Sequence, residues 1–380
     1  MSAYRGSTDI HMTKHKTKVC FFSPSAAPLF YRDIDHVFGG AEVQLFLLAK
    51  EFAKDTRFSV FFLVGNFGQK DQTIHGVNVR KSYQLRLNFF SLLEQPLKIW
   101  VDLLKIRPDI VIQRSAGVDT AFIAAFCRLL KKRFIFSIAH SRDIDGTFVQ
   151  ARGLKGLLYS VGLKMANFVV AQSSEQLKMM KDSSIRKKCK MIPPGYPVRR
   201  RSHTNRGRYI LWVARGEAWK HPESFLNLAM DFPRQRFFMV MPKSPKASAL
   251  WQRIEKQTRK ISNLHFEERI PFHKIHNLFD KSYLLVNTSS KEGFPNTFIQ
   301  AARMGVPILS LKVDPDDFIT KNRVGVTCDG HYARLKRNLH LLVSNDDLYN
   351  EFKNNCFKYF VQNHDITEIA QSWKEILLAL

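Results

Sequence analysis

The chain of 380 residues carries 59 Lys and Arg against 33 Asp and Glu, a formal net charge of +26, and 45% hydrophobic residues that include 31 Phe. This apolar content excludes an intrinsically disordered chain, and the length favours two domains of about 180 residues over one core. Five scattered cysteines without a C-x-x-C pair exclude a disulfide framework and a structural zinc site; no apolar run reaches the roughly 18 residues a spanning helix needs, and no charged-then-apolar signal opens the sequence.

Residues 1–17 are expected to be a disordered leader or cloning remnant outside the fold, with Met12 as the natural start. Residues 19–22 form a short apolar run closed by Ser23-Pro24-Ser25. Gly39-Gly40-Ala41-Glu42 then opens a helix on which Val43, Leu45, Phe46, Leu48 and Phe52 are spaced to bury one face. The next expected strand, 59–64, is closed by Gly65-Asn66. A helix over 92–106 stops at Pro108-Asp109, before a strand at 110–112. Further along, 120–130 reads as helix, 133–139 as strand, 154–165 as helix and 168–171 as strand. Such alternation implies a parallel sheet covered by helices on both faces.

The pattern pauses at Pro193-Pro194-Gly195-Tyr196-Pro197, which with Arg199-Arg200-Arg201 marks a linker over 196–207 between a domain at 18–195 and a second at 208–360. Alternation then resumes with strands at 209–214 and 236–241, helices near 223–230 and 250–260, and a strand at 283–286. A helix over 361–380 is expected to pack back on the first domain. The expected architecture is therefore α/β, two Rossmann-like β/α/β domains facing across a cleft, with the ligand site in the cleft.

Four places carry candidate chemistry. Ser289-Ser290-Lys291-Glu292-Gly293-Phe294-Pro295-Asn296-Thr297 follows a strand and leads through Gln300 into Gly305-Val306-Pro307 and a new apolar run, so backbone N–H groups and a helix N-terminus face a ligand there. Arg215 ends the strand at 209–214, and Lys220 follows five residues later. Two cations so placed can neutralise a diphosphate, Arg by bidentate geometry and Lys as a movable point charge. Gly39-Gly40 before a helix allows backbone to approach a phosphate or an acceptor. His140 sits at the end of the strand at 133–139, facing the cleft. Asp143-x-Asp145 and Asp314-x-Asp316 look like metal-binding carboxylate pairs but read as loop residues, and no metal ligand is assigned.

The segment from Ser289 to Pro307 closely resembles the nucleotide-sugar signature of retaining GT-B glycosyltransferases of group 1 (family 4), and Arg215-x4-Lys220 and Gly39-Gly40-Ala41-Glu42 match further wording of that family. The resemblance covers most of the chain from Lys18 onward and is strongest over 208–311. It implies that Glu292 lies against the donor sugar hydroxyls and that Gly293, Phe294, Pro295, Asn296 and Thr297 approach the sugar and diphosphate. Arg215 and Lys220 would stand in for a metal at the diphosphate, and His140 would support the donor sugar or the acceptor. Gln300 occupies the position where the family carries a Glu that grips the ribose diol. A carboxylate accepts both hydroxyl protons, whereas an amide offers one acceptor and one donor group. The implied activity is hexosyl transfer from a nucleotide-sugar, UDP- or GDP-linked, to a glycan or lipid-linked acceptor. Configuration is retained by front-side attack, without metal, cofactor or protein nucleophile, in cell-surface polysaccharide or glycoconjugate synthesis.

The charge is uneven. Residues 1–200 hold 32 Lys and Arg against 15 Asp and Glu, residues 201–380 hold 27 against 18, and nine basic residues with no acidic one lie between Arg186 and Arg208. Such a field suits polyanions, or solubility alone. Basic, apolar stretches at 85–90, 128–133 and 152–164 suit an anionic membrane surface, hence a cytoplasmic protein peripheral to the inner face of the cell membrane; ordinary amphipathic packing with solvated charges is the rival. A catalytically silent GT-B-like binding subunit and a basic nucleic-acid-binding protein are the alternatives from other classes. No helix-turn-helix, zinc or aromatic RNA-binding motif supports the latter.

Overall fold

The computed structural model describes residues 16–85, 91–199, 207–243 and 247–379; the basic positions Arg86, Arg200 and Arg201, and the expected leader up to residue 15, lie outside them. Fourteen strands are described: β1 Thr17–Phe22, β2 Phe58–Val64, β3 Gln72–Ile74, β4 Val77–Lys81, β5 Ile110–Arg114, β6 Arg133–Ser137, β7 Phe168–Ala171, β8 Cys189–Met191, β9 Tyr209–Val213, β10 Phe237–Val240, β11 Leu264–Glu267, β12 Ser282–Asn287, β13 Ile308–Ser310 and β14 Gly325–Thr327. They form two sheets, ordered β3-β4-β2-β1-β5-β6-β7-β8 and β11-β10-β9-β12-β13-β14. Counted from β9 the second order is 3-2-1-4-5-6, the Rossmann arrangement. The α/β fold of two Rossmann-like domains is thus the one observed.

Continuous apolar runs explain the central strands. β1 and β5 are almost wholly buried and pair in parallel, Val19 opposite Ile110 and Phe21 opposite Ile112, as strands covered on both faces must be. One edge departs from the expected parallel sheet. β3 pairs antiparallel with β4 through His75 and Gly76, both at positive φ (53° and 79°), a two-residue hairpin geometry. Its polar, half-exposed residues carry no long apolar run and so escape a reading based on apolar periodicity.

The helix Gly40–Phe52 also differs from the single buried face its spacing predicts: Val43 through Ala49 are buried without interruption. The reason is tertiary. The helix lies under the first sheet, against the second domain and against the C-terminal helix Ile366–Ala379, so no face is left to water. Lys374 of that last helix pairs with Asp55 at 3.0 Å and sits 5.8 Å over Phe52. The linker is clamped at the same place. Tyr196 donates its N–H to His364 O and accepts from Ile366 N, at 2.9 and 3.0 Å.

His364 is fully enclosed there. Its Nδ1 donates to Pro194 O at 2.7 Å, and its Nε2 has no partner among the described residues. Burial pushes its pKa down to about 4. The unfolded chain then takes up this proton first as pH falls, so the stability His364 contributes is complete above its unfolded value near 6.5 and declines toward pH 4. Thermal melts between pH 7 and pH 4.5 should show that loss, with a shallower slope in His364→Asn; an unchanged slope would remove His364 as the titrating group.

Candidate active site

Both sheets place their C-terminal strand ends against one inter-domain cleft of about 840 Å³. In each, the site lies where strand order reverses. The Gly39-Gly40 turn follows β1 and Arg114 ends β5, while Arg215 follows β9 and Glu292 follows β12. Such switch points are where open α/β sheets bind ligands. Two helices of at least eight residues, Gly40–Phe52 and Asn296–Arg303, begin at cleft-lining residues, and helix N-termini favour anions.

The second domain's half is laced together by strand-end hydroxyls. Trp212 Nε1 donates to Thr288 Oγ1 at 2.8 Å, Thr288 donates to Lys220 O at 2.6 Å, and the Ser290 N–H donates to Trp219 O at 3.0 Å. These bonds hold the short turn Ala218–Lys220 against the loop after β12. They bring Lys220 into an ion pair with Glu292, whose carboxylate also accepts from Ser289 Oγ at 2.9 Å. The Lys220 ammonium sits 3.8 Å over the Trp219 ring. Burial pushes it below its ordinary pKa, while Glu292 pulls the other way. Arg215 lines the same cleft, and its guanidinium makes no hydrogen bond or ion pair among the described residues.

The first domain meets this surface closely at its two glycines. A Cβ at Gly39 would overlap Arg215 Nη2, and one at Gly40 would overlap Asn296 Nδ2. Asn296 Oδ1 accepts from Gln44 Nε2 at 2.7 Å, tying the two helix starts. Gly293 likewise faces Gln176 Nε2, 3.1 Å from where its Cβ would stand.

His140 follows β6, which ends at Ser137, two residues short of the expected boundary. Its Nδ1 accepts the Arg142 N–H at 3.3 Å, so the ring proton resides on Nε2, which is buried and has no partner among the described residues. The ring meets Trp219 edge-on at 5.9 Å. Burial, then Arg142, Lys220 and Lys291, push its pKa down to about 4, so the imidazole is neutral at ordinary pH.

The structure thus brings together Gly39, Gly40, His140, Arg215, Lys220, Glu292, Gly293, Phe294, Pro295, Asn296 and Thr297 around one cavity. Gln300 is not among them. Its Nε2 donates to Tyr196 OH at 2.9 Å in the linker, so its amide turns away from the place the resemblance implies. The carboxylates of the two D-x-D pairs serve the backbone or a loop hydroxyl. Asp143, pushed up to about 6 by burial, accepts from the Ala139 and His140 amides at 2.9 and 3.0 Å, and Asp145 accepts from Thr147 N and Oγ1. Asp314 accepts from Ile319 and Thr320, and Asp316 reaches across the domains to Ser174 and Glu175. No group of three or more His, Cys, Asp or Glu placed to hold a metal occurs among the described residues.

Sequence reasoning missed Arg114, which lines the cleft with its Nη1 3.2 Å from Ser137 Oγ and its Nε unpartnered; burial pushes it down to about 10. A cation at the end of β5, one residue beyond its apolar run, was the signal, much like the one that singles out Arg215 after β9.

Fold and site define a GT-B protein with a site at facing switch points. Residues 199–359 match the family model of glycosyl transferases, group 1. No curated protein matches the chain. Among solved structures it is similar to HepE of Anabaena, in complex with UDP and glucose (15% identity, TM-score 0.73, covering 96% of this chain and 100% of that one). It is also similar to sucrose-phosphate synthase of Thermosynechococcus elongatus (13%, 0.78, 96% and 100%). A third neighbour is WaaG, a glycosyltransferase involved in lipopolysaccharide biosynthesis (15%, 0.68, 94% and 99%). The chain therefore resembles GT-B glycosyltransferases of group 1, by sequence in its second domain and by fold over nearly its whole length.

Proposed function

We propose that the protein is a glycosyltransferase that moves a hexosyl group from a nucleotide-sugar to a glycan or lipid-linked acceptor, with retention and without a metal. The domain at 208–360 binds the donor and the domain at 18–195 the acceptor. One observation carries this reading: the Arg215 guanidinium, unpartnered among the described residues, the Lys220–Glu292 pair and two helix N-termini converge on one cleft. Departure of a nucleoside diphosphate places charge on its β-phosphate. Arg215, Lys220 and the N–H groups at Asn296 and Thr297 are preorganised to stabilise that charge. Glu292 and His140 Nε2 hold the sugar through hydrogen bonds, and Gly39 and Gly40 let the first domain close over the donor.

Thermal melts with UDP, GDP and ADP, followed by hydrolysis and transfer assays with the matching nucleotide-sugars, test this. One nucleotide should raise the melting temperature and its sugar should turn over. If no nucleotide protects the chain, the enzyme reading fails. A catalytically silent binding subunit is the second reading, favoured by Lys220 being already paired and Gln300 facing the linker. Protection by a nucleotide without any turnover would select it.

The acceptor side carries an exposed apolar strip. Leu97 (69% exposed) on Ser91–Ile106, Leu129 (68%) on Asp119–Leu129, and Leu154 (72%) and Leu157 on Leu154–Met165 lie on helices that pack together, amid Lys and Arg. This supports docking on an anionic membrane, hence a place in cell-surface glycoconjugate synthesis. No helix of the described residues is long and apolar enough to cross a membrane. Flotation with anionic vesicles should capture the protein, and Leu154→Glu/Leu157→Glu should release it; equal capture by neutral vesicles would refute the charge-dependent docking.

A further inference from the structure

A second inter-domain cavity, of about 230 Å³, shares no lining residue with the cleft. Four parts of the chain converge on it. Lys50 comes from the end of Gly40–Phe52, Arg199 from the linker, His273 and His276 from the helix Phe272–Asp280, and Arg303 from the last turn of Asn296–Arg303. No carboxylate lines the cavity. The Lys50, Arg199 and Arg303 cations make no hydrogen bond or ion pair among the described residues. Arg303 Nε and Gln300 Oε1 are buried without partners among the described residues.

These cations act on one another. Burial pushes Arg303 down to about 10; Tyr196 pulls the other way, and Arg199 adds to the shift as a like charge. His276 is lowered by burial and then by Arg199 and Arg303, while Asp280 pulls the other way. The Tyr196 ring lies 6.0 Å from the Arg303 guanidinium. Asp280 acts on His276 and Glu51 on Lys50 as counter-charges, but neither lines the cavity, and desolvated like charges that face one another are costly. Solvent could absorb that cost at the rim, at Arg199 and His273, but less so at the partly buried Lys50, His276 and Arg303.

We infer that this cavity is a binding site for a compact, multiply charged phosphate-class anion, inorganic phosphate, diphosphate or a small phosphate monoester. The anion joins the first domain, the linker and the second domain at a place outside the cleft. The volume suits an ion of this size rather than a nucleotide-sugar, for which the cleft is nearly four times larger. Arg303 and Arg199 supply planar donor forks, and Lys50 supplies a point charge from the other domain.

Calorimetric titration and thermal melts at fixed ionic strength test the site, with inorganic phosphate, diphosphate and glycerol 3-phosphate as probes and chloride as control. The expected result is saturable binding of at least one probe that survives in Arg215→Ala, where the cleft is disabled. In Lys50→Gln/Arg199→Gln its affinity should fall at least tenfold, while the unliganded melting temperature is unchanged or higher because repulsion is relieved. Arg303→Gln serves as a third variant, and the first pair carries the test if it fails to fold. Protection no greater than that given by chloride overturns the site, as does binding lost in Arg215→Ala and untouched in Lys50→Gln/Arg199→Gln.

Discussion

Arg215→Ala is expected to lower sugar transfer by about 10²- to 10³-fold, the usual effect of removing a preorganised donor to developing charge, with no loss of melting temperature. The two halves of that expectation have one cause. The guanidinium has no protein partner among the described residues, so nothing in the fold depends on it. Lys220→Ala should be equally damaging to turnover but also destabilising, because it leaves Glu292 with an uncompensated charge in a mostly buried place; breaking such a pair costs roughly 3–5 kcal/mol. Lys220→Met/Glu292→Leu should recover much of the stability and none of the activity. Comparing kcat with melting temperature across the three variants checks the assignment. Near-normal turnover in Arg215→Ala would refute its role, and a Lys220→Ala melt equal to wild type would show that the ion pair contributes little.

The second large effect is expected at His140. With Nδ1 accepting from Arg142, the Nε2–H is a fixed neutral donor in a water-poor corner against Trp219. His140→Ala should reduce kcat by about 10²-fold if that donor meets charge developing in the transition state, and His140→Gln should recover part of the loss. The sign of the pH dependence follows from the depressed pKa. A group that protonates only near 4 stays neutral from pH 5 to 8, so His140 should add no titration to the rate profile there. A rate that rises through pH 6 to 7 in wild type and is flat in His140→Gln would show instead that the imidazole titrates at its ordinary value.

Periodicity made the scaffold legible. The apolar runs at 19–22, 110–112 and 283–286, each closed by small or polar residues, are central strands β1, β5 and β12, and strand ends are where Arg215 and Glu292 had to lie. What periodicity could not show was the short hairpin β3–β4, the helix Asp346–Asn363 with its weak apolar stripe, and the burial of Gly40–Phe52 on every side. The hairpin is local but polar, whereas the burial of Gly40–Phe52 depends on partners distant in sequence.

The same division runs through the site. Local spacing sufficed to nominate Gly39, Gly40, Arg215, Lys220 and Glu292, since a strand's end and a helix's start are local events and the chemistry of a diphosphate calls for cations and free N–H groups. Three decisions belonged to the tertiary structure. Lys220 pairs with Glu292 because the Thr288 and Ser290 hydroxyls and amides pull two loops together. Arg114 enters because β5 lies beside β1 at the switch point. Gln300 leaves because the linker carries Tyr196 past its helix. The sequence by itself determined which elements form and which termini face a ligand, through short-range sterics and apolar period. Which side chains face one another was decided only by the tertiary structure, through contacts between residues 72 to 252 positions apart in the chain.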